Sequence, residues 1–288
     1  MKPWHMLICV AFVVAGVVLV AVGADAFVLV PALACAAMMG GDDLDDDARK
    51  RPRRRLWGVS GSPSEAESVR PRPSTVAGES PLLQVNEVTK GFRHGVLRRR
   101  RIEVLRGASL EVRPGELVGL VGENGSGKSV LMKIIVGLLA RDGGEVALAG
   151  RLGYCPQEAL VWEKLTVAEH FRLFAEAYEL TYEQATRAQE RLLDELQFAR
   201  YAGYRTDELS GGTRQKLNLA LALMHEPALL LLDEPYSGFD WDTYVRFWEM
   251  AEERRAQGMG ILIVSHLLAE RERLSRVYTL SDGRCVEE

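Results

Sequence analysis

Leu117-Val118-Gly119-Leu120-Val121-Gly122-Glu123-Asn124-Gly125-Ser126-Gly127-Lys128-Ser129 is the stretch on which the reading of this chain turns. An apolar run of strand length, begun at Glu116, gives way to a glycine-rich loop, and Val130 to Leu139 then repeats apolar residues at helical spacing. Strand, glycine loop and helix in that order wrap backbone N–H groups around a phosphate, and the helix N-terminus adds a favourable dipole. Within such a loop Lys128 is placed to reach the outer phosphates of a nucleotide and Ser129 to hold Mg²⁺. The candidate cradle is therefore Gly122, Glu123, Asn124, Gly125, Ser126, Gly127, Lys128, Ser129 and Val130.

A loop of this kind needs carboxylates beside it. Ala228-Leu229-Leu230-Leu231-Leu232 is apolar throughout, as a strand buried on both faces of a parallel sheet must be, and it ends in Asp233-Glu234-Pro235. Asp233 is the candidate Mg²⁺ partner, and Glu234 the candidate that polarises an attacking water. Together the two strands predict an α/β fold with a P-loop at the end of a central parallel sheet.

The segment Leu209-Ser210-Gly211-Gly212-Thr213-Arg214-Gln215 precedes a helical run over Lys216 to Met224 and lies shortly before the acidic strand. It resembles the LSGGQ signature of ATP-binding cassette (ABC) proteins, with Thr213-Arg214 between the glycines and Gln215. Gly153-Tyr154-Cys155-Pro156-Gln157 is similar to the family's Q-loop, Ser237-Gly238-Phe239-Asp240 to its D-loop with Phe in place of the usual Leu, and Ile261 to His266 to the strand that ends in the switch histidine. Phe92 stands where the family places an aromatic that stacks on adenine. The resemblance covers Pro81 to Glu288. It implies an α/β P-loop NTPase (RecA-like) core with a mixed sheet, an antiparallel β subdomain and an inserted α-helical signature subdomain at about 158–222. It also implies ATP and Mg²⁺ as cofactors, with Gln157 and His266 joining Glu234 in catalysis and Gln157 joining Ser129 and Asp233 at the metal. Ser210, Gly211 and Gly212, with Asp240 nearby, would then meet ATP across a head-to-tail dimer of this chain with itself or a related cassette.

Upstream, Met6 to Gly41 is almost wholly apolar, broken only by Asp25 and Pro31. Eleven Leu, Ile, Phe or Val residues between Met6 and Gly23 favour insertion by about −3 to −7 kcal/mol. The expectation for 1–41 is thus a membrane segment, either one span or a tight hairpin with Asp25 in an interfacial turn. A cleaved secretory signal would carry an ATPase away from ATP, and a chain start lying downstream stays open. The basic run Arg49 to Arg55 places the rest of the chain on the cytoplasmic face. Residues 42–80, acidic, then basic, then rich in Ser, Pro and Gly, form a flexible linker. Net charge is −4, so no nucleic-acid partner is expected. Four dispersed cysteines fit reduced thiols.

One or two spans cannot form a transport pathway, so the permease would be a separate polypeptide. The stretch Tyr154 to Phe171 resembles cassettes of exporters. Two other classes stay in view: a ribosome- or DNA-associated cassette ATPase, and a membrane-tethered ATP-dependent regulator. The intact Glu234 and His266 speak against a sensor that binds without hydrolysis.

Overall fold

The fully apolar strands alternate between two cores, and that alternation sets the layers of this protein. A computed structural model describes residues 80–94, 100–265 and 270–288. The chain opens with β1 (Leu83–His94), β2 (Arg100–Val112) and β3 (Leu117–Val121), followed by α1 (Lys128–Ile135), β4 (Gly143–Leu148) and β5 (Leu152–Cys155). Three helices come next, α2 (Val167–Ala177), α3 (Tyr182–Glu195) and α4 (Gly211–Leu223). The chain then returns through β6 (Leu229–Asp233), α5 (Trp241–Ala256), β7 (Gly260–Val264), β8 (Arg276–Ser281) and β9 (Arg284–Glu287).

The central sheet has the order β5-β6-β7-β3-β8-β9, parallel except for β9, while β2-β1-β4 form a separate antiparallel sheet. Side chains in a strand alternate faces. Leu230 and Leu232 of β6, with Ile261 and Ile263 of β7, pack toward Phe171, Leu217 and Trp248 on the helical side. Leu229, Leu231, Leu262 and Val264 pack the other way, on Val85, Leu105 and Met132 beneath the antiparallel sheet. A strand buried on both faces has no room for a polar residue until it ends, which is why the first carboxylate of β6 is its last residue, Asp233.

Local sequence fixes the helix starts. Thr166 and Thr181 each accept a hydrogen bond from the backbone three residues on, and Glu169 and Gln184 answer with the reciprocal bond. The helix expected from Lys216 begins earlier, at Gly211, because the Ser210 hydroxyl accepts from the Thr213 N–H and caps it. Within the basic stretch Arg98 to Arg101, Arg101 belongs to β2: it pairs with Arg93 across the ladder and its guanidinium bonds Asp142 at 2.9 Å. Cys155 and Cys285 are free thiols.

Residues 1–79, which hold the expected membrane segment and most of the expected linker, lie outside the described residues. Among the described residues no helix is long and apolar enough to cross a membrane.

His225, just past α4, shows how burial of one titratable group shapes stability. Its ring stacks on Tyr178 at 3.9 Å between centroids, and its Nε2 lies 3.0 Å from the Leu152 carbonyl. Burial pushes its pKa down to about 4, with nearby Arg151 adding to the shift against the Leu152 bond. The folded protein holds it neutral, whereas the unfolded chain takes up a proton near pH 6.5. Its contribution is therefore complete above about pH 6.5 and is lost as pH falls toward 4, by about 3 kcal/mol in all. Urea unfolding at pH 7.5 and 5 should show a smaller pH penalty in His225→Asn than in the parent. An identical penalty in the two proteins would remove His225 from the account.

Candidate active site

The glycine loop joins β3 to α1, and its last glycine explains its composition. Gly127 has φ 108, and a Cβ there would stand 3.0 Å from Val104 Cγ1 and 3.2 Å from Leu105 Cδ2, so a side chain would be both strained and crowded. Lys128 opens α1, and its ammonium donates to the carbonyls of Gly122 at 2.6 Å and Glu123 at 3.0 Å. The lysine thus arches over the loop, with its charge at the loop's concave side. Ser126 Oγ is buried in the loop and has no hydrogen-bond partner among the described residues. Ser129 and Val130 occupy the first turn of α1.

A cavity of about 830 Å³ opens between this loop, β2 and the turn from β8 to β9, with Ile102, Val104, Asn124, Gly125 and Asp282 on its walls. Neither Lys128 nor Ser129 lines it, so it flanks the phosphate end of the loop from the side of β2. Phe92 pairs directly with Ile102 across the β1–β2 ladder, which puts both side chains on one face. They are 40% and 50% exposed, and the Lys90 ammonium stands 5.4 Å from the Phe92 ring centre. Phe92 is an exposed apolar ring paired with Ile102 of the cavity wall, not a core residue.

Sheet order brings the carboxylates to this loop. Asp233 pairs with Val264 on β7, and Val264 pairs with Leu120 on β3. One rung therefore joins the ends of the acidic strand, the strand leading to His266, and the strand entering the glycine loop. Burial, and then the neighbouring Glu234 carboxylate, push Asp233 up to about 6, against the opposing pull of Lys128 and Lys133. Glu234 sits at φ 49, a left-handed conformation uncommon for a residue with a side chain. Its N–H bonds the Val264 carbonyl at 2.9 Å, and Ser265 Oγ lies 3.4 Å from its carboxylate. The strained backbone is held by the adjacent strand and turns Glu234 out of the sheet's register just beyond Asp233.

The remaining motifs group around α4. Ser210 and Gly211, exposed, and Gly212, half-buried, form its N-terminus, and none of them lines the cavity. Gly212 abuts the D-loop so closely that a Cβ would come within 2.4 Å of the Gly238 carbonyl. Asp240 caps α5 by accepting from the Thr243 N–H at 2.8 Å. Gln157 is exposed in the bend after β5, and just before it Cys155 is fully buried, its thiol held far above the ordinary range by burial and then by Asp233. His266 lies outside the described residues. Sequence reading passed over Ile102, whose only signal was an apolar residue in an otherwise charged stretch. It also passed over Ser265 beside Glu234 and Asn218 inside α4, and it named Gln215 only as the end of the signature-like segment.

The sequence model of the ABC transporter family matches residues 105–237, from β2 through the acidic strand to the start of the D-loop. Over 220 residues the chain is 34% identical to the lipopolysaccharide export system ATP-binding protein LptB of Acidithiobacillus ferridurans, covering 71% of this chain and 88% of that protein. The chain belongs to the ABC transporter family as an ATP-binding subunit. This cassette is also 34% identical, over 198 residues, to the Nod factor export ATP-binding protein I of Burkholderia pseudomallei (strain 1710b), covering 64% of this chain and 65% of the relative. Among solved structures, the cassette resembles an ATP-binding subunit of an ABC transporter with a TM-score of 0.64 and 31% identity, covering 72% of this chain and 89% of that one. It also resembles the dimeric structure of the bacterial ABC transporter cassette MJ0796 with a TM-score of 0.62 and 25% identity, covering 72% and 97%. The mixed α/β cassette fold, ATP binding and membership of an ATPase family hold for this chain accordingly.

Proposed function

We propose that this cassette hydrolyses ATP as the motor of an exporter, closing as a head-to-tail dimer and working on a separate membrane-embedded permease. The observation that carries the reading is the rung Asp233–Val264–Leu120, which sets two carboxylates and the Lys128 loop on one edge of the sheet. Adenine stacks on Phe92 above the cavity beside Ile102, and the phosphates lie in the loop from Gly122 to Ser129, with Lys128 and the backbone N–H groups matching their charge. Glu234, turned out of the strand, orients the attacking water and takes its proton. Gln157 and His266 stand on the γ-phosphate side in this assignment.

The donor set fits a divalent cation. Asp233 is raised first by burial and then by the Glu234 carboxylate, more than Lys128 and Lys133 offset, so a divalent cation beside the two carboxylates would relieve the remaining imbalance. Ser129, Asp233 and Gln157 would hold Mg²⁺, which when bound supplies Lewis-acid charge on the phosphate oxygens.

Ser210, Gly211 and Gly212 are a capped helix N-terminus, and none of them lines this chain's own cavity. In a second copy they close over the triphosphate, with Asp240 and the D-loop beside them. The two relatives named for export support the direction of transport. The apolar run over 1–41 supports anchoring at the membrane through the linker 42–80, with the cassette at 81–288 on the cytoplasmic face and its helical part at about 158–222. Light scattering of detergent-purified Glu234→Gln protein tests the dimer: the mass should double on adding MgATP. A single-copy mass in both conditions would overturn it.

A further inference from the structure

The signature helix α4 is buried nearly all round, yet it carries two carboxamides in its buried part, Gln215 at 4% and Asn218 at 5% exposure. A buried amide is costly unless it is bonded, so the partners of these two show what they hold. Asn218 Nδ2 donates to the Pro156 carbonyl at 2.9 Å and also faces Cys155 Sγ at 3.3 Å and Gln215 Oε1 at 3.4 Å. Gln215 Nε2 faces the same sulfur at 3.8 Å. Three acceptors around one nitrogen fix the orientation of the Asn218 amide. Pro156 is the residue immediately before Gln157.

A second tie lies seven residues on, where His225 Nε2 bonds the carbonyl of Leu152 at the start of β5. The segment from Asn218 to His225, helical as far as Leu223, is thus fastened at both ends to the β5 strand and the residue that follows it. The other end of α4 begins with Ser210, Gly211 and Gly212, and Gly212 rests on the Gly238 backbone of the D-loop.

We propose that Asn218 is the positioning residue that makes Gln157 and the signature loop move as one body. The inference rests on the function proposed for this cassette, in which Gln157 meets the nucleotide of its own chain and Ser210 to Gly212 meet that of the second copy. Displacement of the Q-loop by one γ-phosphate then pulls the Pro156 carbonyl, and through Asn218 the whole of α4, so the two nucleotide sites respond together. An apolar side chain of the same volume would fill the space at 218 without transmitting the pull, and it would leave the Pro156 carbonyl without this donor.

The test compares the full chain with Asn218→Leu in detergent, reading ATP turnover across MgATP concentrations. The variant should lose about tenfold in kcat, and its Hill coefficient should fall toward 1, while half-saturating ATP stays within about twofold because the phosphate loop is untouched. A purely structural role would lower the melting temperature and leave the Hill coefficient and the turnover of folded protein unchanged, which overturns the proposal. Should the variant not fold, hydrogen exchange of the unaltered chain decides. Peptides over 153–160 and 209–218 should change protection at one shared MgATP midpoint, and separate midpoints overturn the coupling. A parent that never hydrolyses ATP defeats the hydrolysis reading and this one with it, whereas an active parent matched by Asn218→Leu defeats only the role of Asn218.

Discussion

Glu234→Gln lowers ATP turnover by about 10²–10³-fold while nucleotide binding survives or tightens. The substitution is nearly isosteric, and the backbone bond from residue 234 to the Val264 carbonyl does not involve the side chain. Gln accepts the same left-handed φ at a cost similar to Glu, so the local fold is kept. What disappears is the proposed base, and with it a negative charge beside Asp233. Because that charge is one cause of the raised Asp233 pKa, its removal returns Asp233 toward ordinary acidity and leaves it more fully ionised at neutral pH. Repulsion between the site and a triphosphate also falls. Phosphate release under saturating MgATP, with binding measured separately by calorimetry, separates the two effects. Turnover within threefold of the parent would exclude Glu234 as the base.

Lys128→Ala has the opposite signature, because it strikes binding first. Its ammonium is positioned by two loop carbonyls at 2.6 and 3.0 Å, which carry no charge to compete with a phosphate. Two charge-assisted bonds to phosphate oxygens are worth about 3 kcal/mol, so the affinity for MgATP should drop by about 10²-fold. Alanine is a good helix former at the start of α1, so folding should change little. Calorimetric titration alongside a thermal melt checks both parts. An unchanged dissociation constant would show that the phosphates lie elsewhere, and a large loss of melting temperature would show that the lysine serves the loop and not the ligand.

Two features of the site could be read from residues in sequence because each is local. The run from Leu117 to Ser129 carries its own strand, loop and helix signals, and the glycine at 127 suits the left-handed backbone angle there, although the crowding by Val104 and Leu105 is a tertiary contact. The strand Leu229–Asp233 likewise announces double burial by having no polar residue before its end. Phe92 is a middle case. The family resemblance suggested adenine, whereas an aromatic after a strand is more often core, and only its pairing with Ile102 and its exposure distinguish a shelf from a core ring.

Asn218 and Gln215 show where local reading stops. In a helix with one wet face, such residues mark the solvent side. α4 is enclosed on nearly every side, so its polar residues point inward to β5, and periodicity carries no trace of that. The amino-acid sequence by itself determined that this chain has a phosphate-binding loop, a buried acidic strand and a signature helix. Only the tertiary structure decided that β7 lies between β6 and β3, aligning Asp233 with the loop, and that α4 is bound to the Q-loop strand. The physical reason is range: angles, caps and burial patterns act over a few neighbouring residues, whereas strand order and the partners of a buried amide depend on which distant segments pack together.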